Sequence, residues 1–160
     1  MAAAVSLPIS GELAERLRAE GQASGQPPPV LAASLLDEGL KTRQFPGIVY
    51  IDGPSGRRAS LAGGPDIWQV IKALRGVPMD QYDPIETVCT ESDLHERQVN
   101  LAIRFYETYP DEIEAKVADD LAAGRLIDEM IAERERSIAL EQTGGSSRAK
   151  LRGRHFGQRH

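Results

Sequence analysis

The first 44 residues place apolar side chains first at a strand period and then at a helical period. In AVSLPIS every second residue is apolar, which predicts a half-buried β-strand. GELAERLRAEGQ follows Ser10, a residue type that caps helices, and its leucines lie four apart. A second helix is predicted from Pro27 or Pro28. Four leucines form its expected apolar face: Leu31, Leu35, Leu36 and Leu40. Because so small a unit buries little apolar surface, we expect it to dimerise.

The next stretch changes to short β-rich runs and then returns to a helical period. FPGIVYIDGPSGRRASLAGG contains the run IVYI, the turn signal DGPSG and the return RRASLA, which together predict a β-hairpin. GGPDIWQVIKALRG predicts a helix that begins near Pro65 and stops at Gly76. Its expected inner face consists of Ile67, Trp68, Ile71 and Leu74.

Two further helices are predicted before Pro110. VPMDQYDPIETVCTESD is rich in turn residues and accommodates one short helix around residues 85–88. SDLHERQVNLAIRFYETYP has the clearest helical period, with Ser92 or Asp93 as N-cap and Pro110 as terminator. Its apolar stripe is Leu94, Leu101, Ala102, Phe105 and Tyr109. The three helical segments of this region fit a helix-turn-helix, with residues 94–109 as the recognition helix.

A long acidic helix and a basic tail end the chain. Residues 111–142 carry apolar side chains at near-helical spacing, and an interruption at Gly124 is left open. TGGSSRAKLRGRHFGQRH has the composition of a flexible tail. We therefore predict a mostly α fold with a small β component. Its expected parts are a dimerisation unit (1–44), a β-hairpin plus helix-turn-helix-like domain (45–118), a C-terminal helix (119–142) and a flexible basic tail (143–160).

Composition and charge narrow the class of protein. No apolar run approaches the roughly 20 residues that span a bilayer, and the start MAAAVSLPIS lacks the pattern of a secretory signal. The single cysteine, Cys89, has no partner for an internal disulfide, so we expect a cytoplasmic protein. Residues 77–142 carry 17 acidic against 6 basic side chains, whereas residues 143–160 carry 5 basic and no acidic ones. This segregation predicts contacts sorted by charge, although a solvated acidic face with an inert tail fits it as well.

Two parts of the chain resemble known families. VSLPISGELAERLRAEGQASGQPPPVLAASLLDEGLK resembles a ribbon-helix-helix unit of the CopG, MetJ and Arc kind, in the order and spacing of its apolar positions. That resemblance implies a dimer whose paired strands enter the major groove of DNA. LAGGPDIWQVIKALRG and ESDLHERQVNLAIRFYETYPDEIEAKV, over residues 61–117, resemble the small helical domain of VapB-type antitoxins. This second resemblance implies a partner, a PIN-like ribonuclease toxin.

The chain departs from both families at positions that contact DNA or begin a helix. Where the antitoxins usually have GTRI, this chain has GGPDI, so no role of that Thr or Arg is carried over. The outward strand positions are Ala4, Ser6, Pro8 and Ser10, which offer no Arg, Lys, Asn or Gln to read bases. The prolines of QPPPV remove three backbone donors at the helix start that holds a DNA phosphate in the ribbon-helix-helix family. We therefore expect the N-terminal unit to serve mainly in dimerisation, through Val5, Leu7, Ile9, Leu31 and Leu35.

Contact with operator DNA is instead predicted in the second unit. The residues expected to make it are Arg57, Arg58, Arg97, Asn100 and Arg104. Arg pairs bidentately with guanine and Asn with adenine, and the two adjacent arginines after the hairpin turn suit the phosphate backbone. The alternative is that the two helix arginines pair with neighbouring carboxylates such as Glu96 or Glu107 on a solvated face.

The C-terminal part is predicted to bind the toxin. The residues assigned to that contact are Leu126, Met130, Ile131, Arg148, Arg152 and Arg154. An arginine inserted among the metal-binding carboxylates of a nuclease would block it, a step that rests on the family resemblance. The sequence thus predicts an antitoxin that restrains its toxin and represses its own operon as a homodimer or higher oligomer. The alternative is a protein-interaction adaptor or dimeric scaffold without DNA binding.

Catalytic and cofactor chemistry find little support. His95, His155 and His160 lack partners at metal-ligand or catalytic spacing, and Cys89 lacks a dedicated histidine base. IDGPSGRR lacks the Gly-Lys-Ser/Thr ending of a phosphate loop. We expect no enzyme activity, no cofactor and no metal site.

Overall fold

The computed structural model describes residues 6–53, 56–80 and 82–151, with side chains as far as Glu141. Within these ranges the chain forms six helices and one two-stranded sheet, so the predicted mostly α fold with a small β component is confirmed. The elements are α1 (Gly11–Ser24), α2 (Pro28–Gln44), β1 (Ile48–Ile51), β2 (Arg58–Leu61), α3 (Ile67–Gly76), α4 (Pro84–Ser92), α5 (Glu96–Thr108) and α6 (Pro110–Leu151).

Local signals set both ends of α1. The Ser10 hydroxyl accepts a hydrogen bond from the Leu13 amide at 3.2 Å, which satisfies one of the free donors at the helix start. At the other end Gly25 adopts φ 67°, the left-handed conformation that closes helices with little strain for glycine. The predicted capping by Ser10 and the break after α1 are confirmed.

The α2 helix begins where predicted but turns a different face inward. Pro27 is its N-cap and Pro28 its first residue. Of the four leucines in the predicted stripe, Leu31 is buried, while Leu35, Leu36 and Leu40 are exposed in the single chain and stay available to a second copy. The buried face contains Leu31 and, seven residues on, Glu38. A carboxylate is tolerated there because it has a cationic partner, described below.

The strand predicted over residues 5–9 is absent from its described part. Residues 6–10 form no strand, and Leu7 and Ile9 are 59% and 48% exposed. Val5 and Ala4 lie outside the described residues. A lone strand has no neighbour for its backbone hydrogen bonds, so a ribbon needs a second chain. The ribbon-helix-helix arrangement stays a prediction.

The predicted β-hairpin is confirmed. β1 and β2 pair antiparallel, with Ile48 opposite Leu61 and Ile51 opposite Arg58. An isolated two-stranded hairpin is marginal in water, but here β1 packs on α2 and β2 packs on α3. Ile48 and Leu61 are almost fully buried, so this end of the hairpin belongs to the core.

The core lies among α3, α4, α5, the hairpin and the end of α2. α3, α4 and α5 each pack on the other two. Phe105 of α5 meets Phe45 edge-on at 5.4 Å between ring centroids, and Tyr109 lies 5.2 Å from Phe105. The largest fully buried side chains are Phe105, Ile48, Leu61, Ile67, Ile113, Val70, Val88 and Val99. The aromatic contacts connect the chain just after α2 to α5.

The chain separates into two compact units, up to Pro110 and from Asp111 onward. The predicted domains have their boundaries elsewhere, after residues 44, 118 and 142, and the end of α2 packs within the first unit. α6 runs through Gly124 without a break. It also includes residues 143–151, whereas residues 152–160 lie outside the described ranges, so the flexible tail stays a prediction. In the described parts of the chain no helix is long and apolar enough to cross a membrane.

Candidate nucleic-acid interface

A three-residue turn joins α4 to α5. Asp93 takes a left-handed conformation with φ 52° and caps the end of α4, where its amide donates to the Cys89 carbonyl oxygen. Leu94 is buried, and His95 is the N-cap of α5, where its side chain and that of Gln98 form a reciprocal capping box. The predicted cap at Ser92 or Asp93 is therefore wrong: Ser92 is the last residue of α4. The reason is the left-handed turn at Asp93, which a helical period in the sequence does not reveal.

The inner face of α5 anchors it in the core. Val99, Ala102 and Phe105 have no exposed surface, and they recur at intervals of three along the helix. Phe105, Ala102 and Leu94 were expected on this side, whereas Val99 was not included in the predicted stripe. α5 ends at Thr108 with Tyr109 as its C-cap, so the predicted stop at Pro110 is confirmed. Pro110 is also the first residue of α6, because proline fits the first turn of a helix.

The outer face of α5 carries the predicted base-reading residues. Arg97 and Arg104 lie seven residues apart, so two helical turns separate them on the same side, and both are exposed. Neither guanidinium forms an ion pair with any carboxylate in residues 6–53, 56–80 or 82–141. The alternative pairing with Glu96 or Glu107 is thus not seen, and both charges face solvent.

Asn100 joins Arg97 at an open depression of about 800 Å³ at the start of α5. Its lining comprises His95, Glu96, Arg97, Gln98 and Asn100. The Asn100 side-chain amide donates to the Glu96 carboxylate at 3.4 Å, a long hydrogen bond that a stronger acceptor can replace. The structure therefore brings Arg97, Asn100 and Glu96 together on one surface.

Arg57 lies in a different setting, bound by two carboxylates. Its guanidinium contacts Glu38 with Nε 2.8 Å from Oε1 and Nη2 2.8 Å from Oε2, while Nη1 lies 3.1 Å from Asp52. The hydrogen bonds that Arg57 donates to Glu38 raise the pKa of Arg57 above its ordinary value, with smaller contributions from Asp52 and an opposing effect of burial. Phosphate contact by Arg57 would compete with these carboxylates. Glu38 is a residue that the sequence pattern missed, because its partner lies 19 residues away.

Arg58 is also engaged, at the entry to α3. Its Nε donates to Asp66, which also accepts hydrogen bonds from the Ser60 hydroxyl and, at 3.2 Å, from the Trp68 indole. Arg58 Nη1 is buried without a hydrogen-bond partner among the described atoms, directly above the bare Cα of Gly53. Arg58 thus holds the hairpin to α3. In the sequence, Asp66 stands directly before the apolar run IWQVIKAL. Because Asp is a frequent N-cap, this position was the signal that could have identified it.

The predicted dimerisation residues differ in their exposure to solvent. Leu7, Ile9 and Leu35 are exposed, whereas Leu31 is buried within the chain, and Val5 lies outside the described residues. An open groove of about 570 Å³ runs along α1 beside Leu35. Its apolar lining includes Leu13, Leu17, Ala19 and Ala23.

The predicted toxin-binding residues lie on two sides of α6. Leu126, Met130 and Ile131 are all more than half exposed. Leu126 and Met130 are one turn apart, but Ile131 is five residues from Leu126 and so lies roughly 140° round the helix at about 100° per residue. The side chain of Arg148 is not described, and Arg152 and Arg154 lie outside the described residues.

Residues with catalytic potential are scattered. Cys89 is half-buried, and desolvation, followed by the charges of Glu96 and Asp83, raises the pKa of its thiol above the ordinary value. A higher pKa leaves less thiolate at neutral pH and so a weaker nucleophile. Across the described ranges, no group of three or more His, Cys, Asp or Glu side chains is arranged to hold a metal ion.

No family model, curated protein or solved structure matches the chain.

Proposed function

We propose that this protein is a cytoplasmic DNA-binding antitoxin, which represses its own operon and restrains a PIN-like ribonuclease toxin. The observation that carries the DNA-binding part is that Arg97 and Arg104 are exposed on the outer face of α5 and form no ion pair with the described carboxylates, while the inner face of α5 is buried. Helix-turn-helix proteins present their recognition helix to the major groove in this way. The resemblance to VapB-type antitoxins supports the same assignment.

Base contact by this face is energetically reasonable. A bidentate contact from an arginine to guanine, or from asparagine to adenine, contributes about 1–3 kcal/mol of discrimination. Arg97 and Arg104 give up no ion pair among the described side chains when they bind, whereas Arg57 would lose its contacts with Glu38 and Asp52. We therefore assign the base contacts to Arg97, Asn100 and Arg104, and we rank Arg57 and Arg58 lower as phosphate contacts.

Dimerisation supplies the second half of the DNA site. Exposed apolar residues at Leu7, Ile9 and Leu35 support a contact between the N-terminal units of two copies. A dimer presents two recognition helices to half-sites about one helical turn of DNA apart. Two weak DNA contacts linked in one dimer bind more tightly than either contact alone. This gain in affinity offsets the repulsion between DNA phosphates and the acidic residues 77–142.

Toxin binding is assigned to α6. Its residues from Leu121 to Glu141 are all exposed, and Leu126 and Met130 form an apolar face one turn long. Such a face suits a groove on a partner protein. The basic residues Arg148, Arg152 and Arg154 would meet the acidic metal site of the nuclease.

An adaptor without DNA binding is the second candidate. The observation in its favour is the acidic charge of residues 77–142, which repels DNA phosphates around α5. Both candidates predict a protein partner, and only the first predicts affinity for operator DNA.

DNA binding is tested by fluorescence anisotropy with a labelled duplex taken from upstream of the chain's own reading frame. Arg97→Ala and Arg104→Ala should each weaken binding at least fivefold, while Arg18→Ala, which removes the same charge from an exposed pair on α1, should change it less than twofold. Equal affinity for all four proteins would reject the assignment to α5.

Toxin binding is tested by co-expression with the neighbouring reading frame. A stoichiometric complex that survives size-exclusion chromatography, and that Leu126→Asp/Met130→Asp disrupts, supports the α6 assignment. A complex unaffected by that double variant would place the toxin elsewhere.

A further inference from the structure

One face of α6 carries a heptad pattern that the proposed function leaves unexplained. Gly124, Ile131 and Ile138 recur every seven residues, and Ile127 lies three residues after Gly124 and four before Ile131. Val117 has the same period but is already buried within the chain, so the exposed pattern begins at Gly124. These are the intervals of the a and d positions in a coiled coil. Ile127, Ile131 and Ile138 are 57%, 52% and 45% exposed in the single chain.

This heptad face is distinct from the apolar pair assigned to the toxin. Leu126 and Met130 fall at the c and g positions when Ile131 is an a position, so they point away from the centre of the heptad face. β-branched residues at a positions pack well against a second helix, and Gly124 lets another backbone approach closely. The face therefore suits a helix of matching length and period.

The charge along α6 indicates which helix that is. Residues 111–129 carry seven acidic against two basic side chains, whereas residues 130–141 carry three acidic against two basic ones. A second copy in the antiparallel orientation places the acidic half of each helix beside the less acidic half of the other. The parallel orientation would set two acidic halves side by side.

We propose that the heptad face of α6 pairs with the same face of a second copy, antiparallel, with the crossing point near Ile131. Arg134 is the charged residue at a d position between Ile127 and Ile138. Because Asp128 and Arg134 lie three residues on either side of Ile131, this register brings Arg134 of one copy alongside Asp128 of the other. The pairing is independent of the N-terminal dimer contact and of DNA binding.

The test measures distances between identical labels in the full-length protein. Spin labels are attached at Ala122→Cys or Glu129→Cys in a Cys89→Ser background, and both positions lie on the side of α6 opposite the heptad face. With a rise of about 1.5 Å per residue, the antiparallel pair predicts a same-site distance at 122 that exceeds the one at 129 by on the order of 10 Å. Equal distances at the two sites would overturn the antiparallel arrangement.

Two matched double variants distinguish the pairing of heptad faces from other contacts made by α6. Ile127→Asp/Ile131→Asp should abolish the α6 distances, while Leu126→Asp/Met130→Asp, the same chemical change one residue earlier on the helix, should retain them. Circular dichroism checks that both variants keep their helix content. A dimer by mass that gives no α6 distance, or one whose distances survive Ile127→Asp/Ile131→Asp, would contradict the pairing.

Discussion

Arg57 binds Glu38 at two points, with Nε 2.8 Å from Oε1 and Nη2 2.8 Å from Oε2, and so ties the middle of α2 to the hairpin. The Glu38 side chain is 12% exposed and that of Arg57 36%, so the pair is screened only in part. The ion pair with Arg57 explains how a carboxylate is tolerated on the inner face of α2.

Glu38→Gln should lower the free energy of unfolding by about 1–3 kcal/mol, because it leaves the guanidinium with a neutral acceptor in place of a carboxylate. Urea denaturation monitored by circular dichroism measures the change. The control is Glu15→Gln in α1, whose pair with Arg18 is exposed and should contribute less than about 0.5 kcal/mol. An equal effect of the two substitutions would show that the Glu38 contact has no special role.

Asp66→Asn should destabilise the first unit and change the environment of Trp68, the single tryptophan. Asp66 caps α3 and accepts from Arg58, Ser60 and Trp68, so loss of its charge weakens several contacts at once. We expect a loss of about 2 kcal/mol and a shift in tryptophan emission. Asp80→Asn, at an exposed residue, serves as the control. An unchanged emission spectrum together with unchanged stability would contradict the role of Asp66.

Two helical glycines should respond to alanine in opposite directions. No described atom lies within 4 Å of a Cβ at Gly39, so Gly39→Ala should stabilise α2 by about 0.5–1 kcal/mol through its higher helix propensity. A Cβ at Gly21 would lie 2.7 Å from the Gln26 carbonyl oxygen, a backbone atom that cannot move aside easily. Gly21→Ala should therefore lower the melting temperature. If both variants were stabilised, the close approach of the Gln26 carbonyl oxygen to Gly21, where α1 turns toward α2, would be contradicted.

The Cys89 thiol should ionise at a higher pH in the folded chain than in the unfolded one, since burial and the nearby acidic charges raise its pKa. The raised pKa favours folding below the ordinary thiol pKa, and this contribution is lost as the pH rises through the folded value. Alkylation by iodoacetamide across pH 7–11, in buffer and in urea, compares the two states. A reaction profile in buffer that matches or precedes the one in urea would contradict the prediction.

Local signals predicted much of the fold. Ser10 before α1 and Gly76 at the end of α3 act within a few residues of chain, and each predicted its helix end correctly. Long-range contacts were not predictable in this way. The Glu38–Arg57 pair spans 19 residues, so the helical period of α2 gave no sign that Glu38 lies on its buried face.

The sequence predicted which residues of α5 share a face, but it did not predict where α5 begins or which carboxylates bind the hairpin arginines. Arg97, Asn100 and Arg104 do share the outer face of α5, as their spacing indicated. Asp93 adopts a left-handed backbone conformation, and α5 begins only at Glu96. Because this conformation is uncommon at non-glycine residues, the helical period of the sequence did not indicate it. The engagement of Arg57 and Arg58 was also hidden, since their carboxylate partners come from other elements.

DNA reading by α5 is tested by comparing specific with non-specific binding at one fixed salt concentration. The affinity of the wild-type chain and of Arg97→Ala/Arg104→Ala is measured for the upstream duplex and for a shuffled duplex of equal composition. If α5 reads DNA, the wild type prefers the upstream duplex at least a hundredfold, and the double variant loses at least tenfold of that preference. A preference that the double variant retains in full, or a wild type that binds neither duplex, would contradict it.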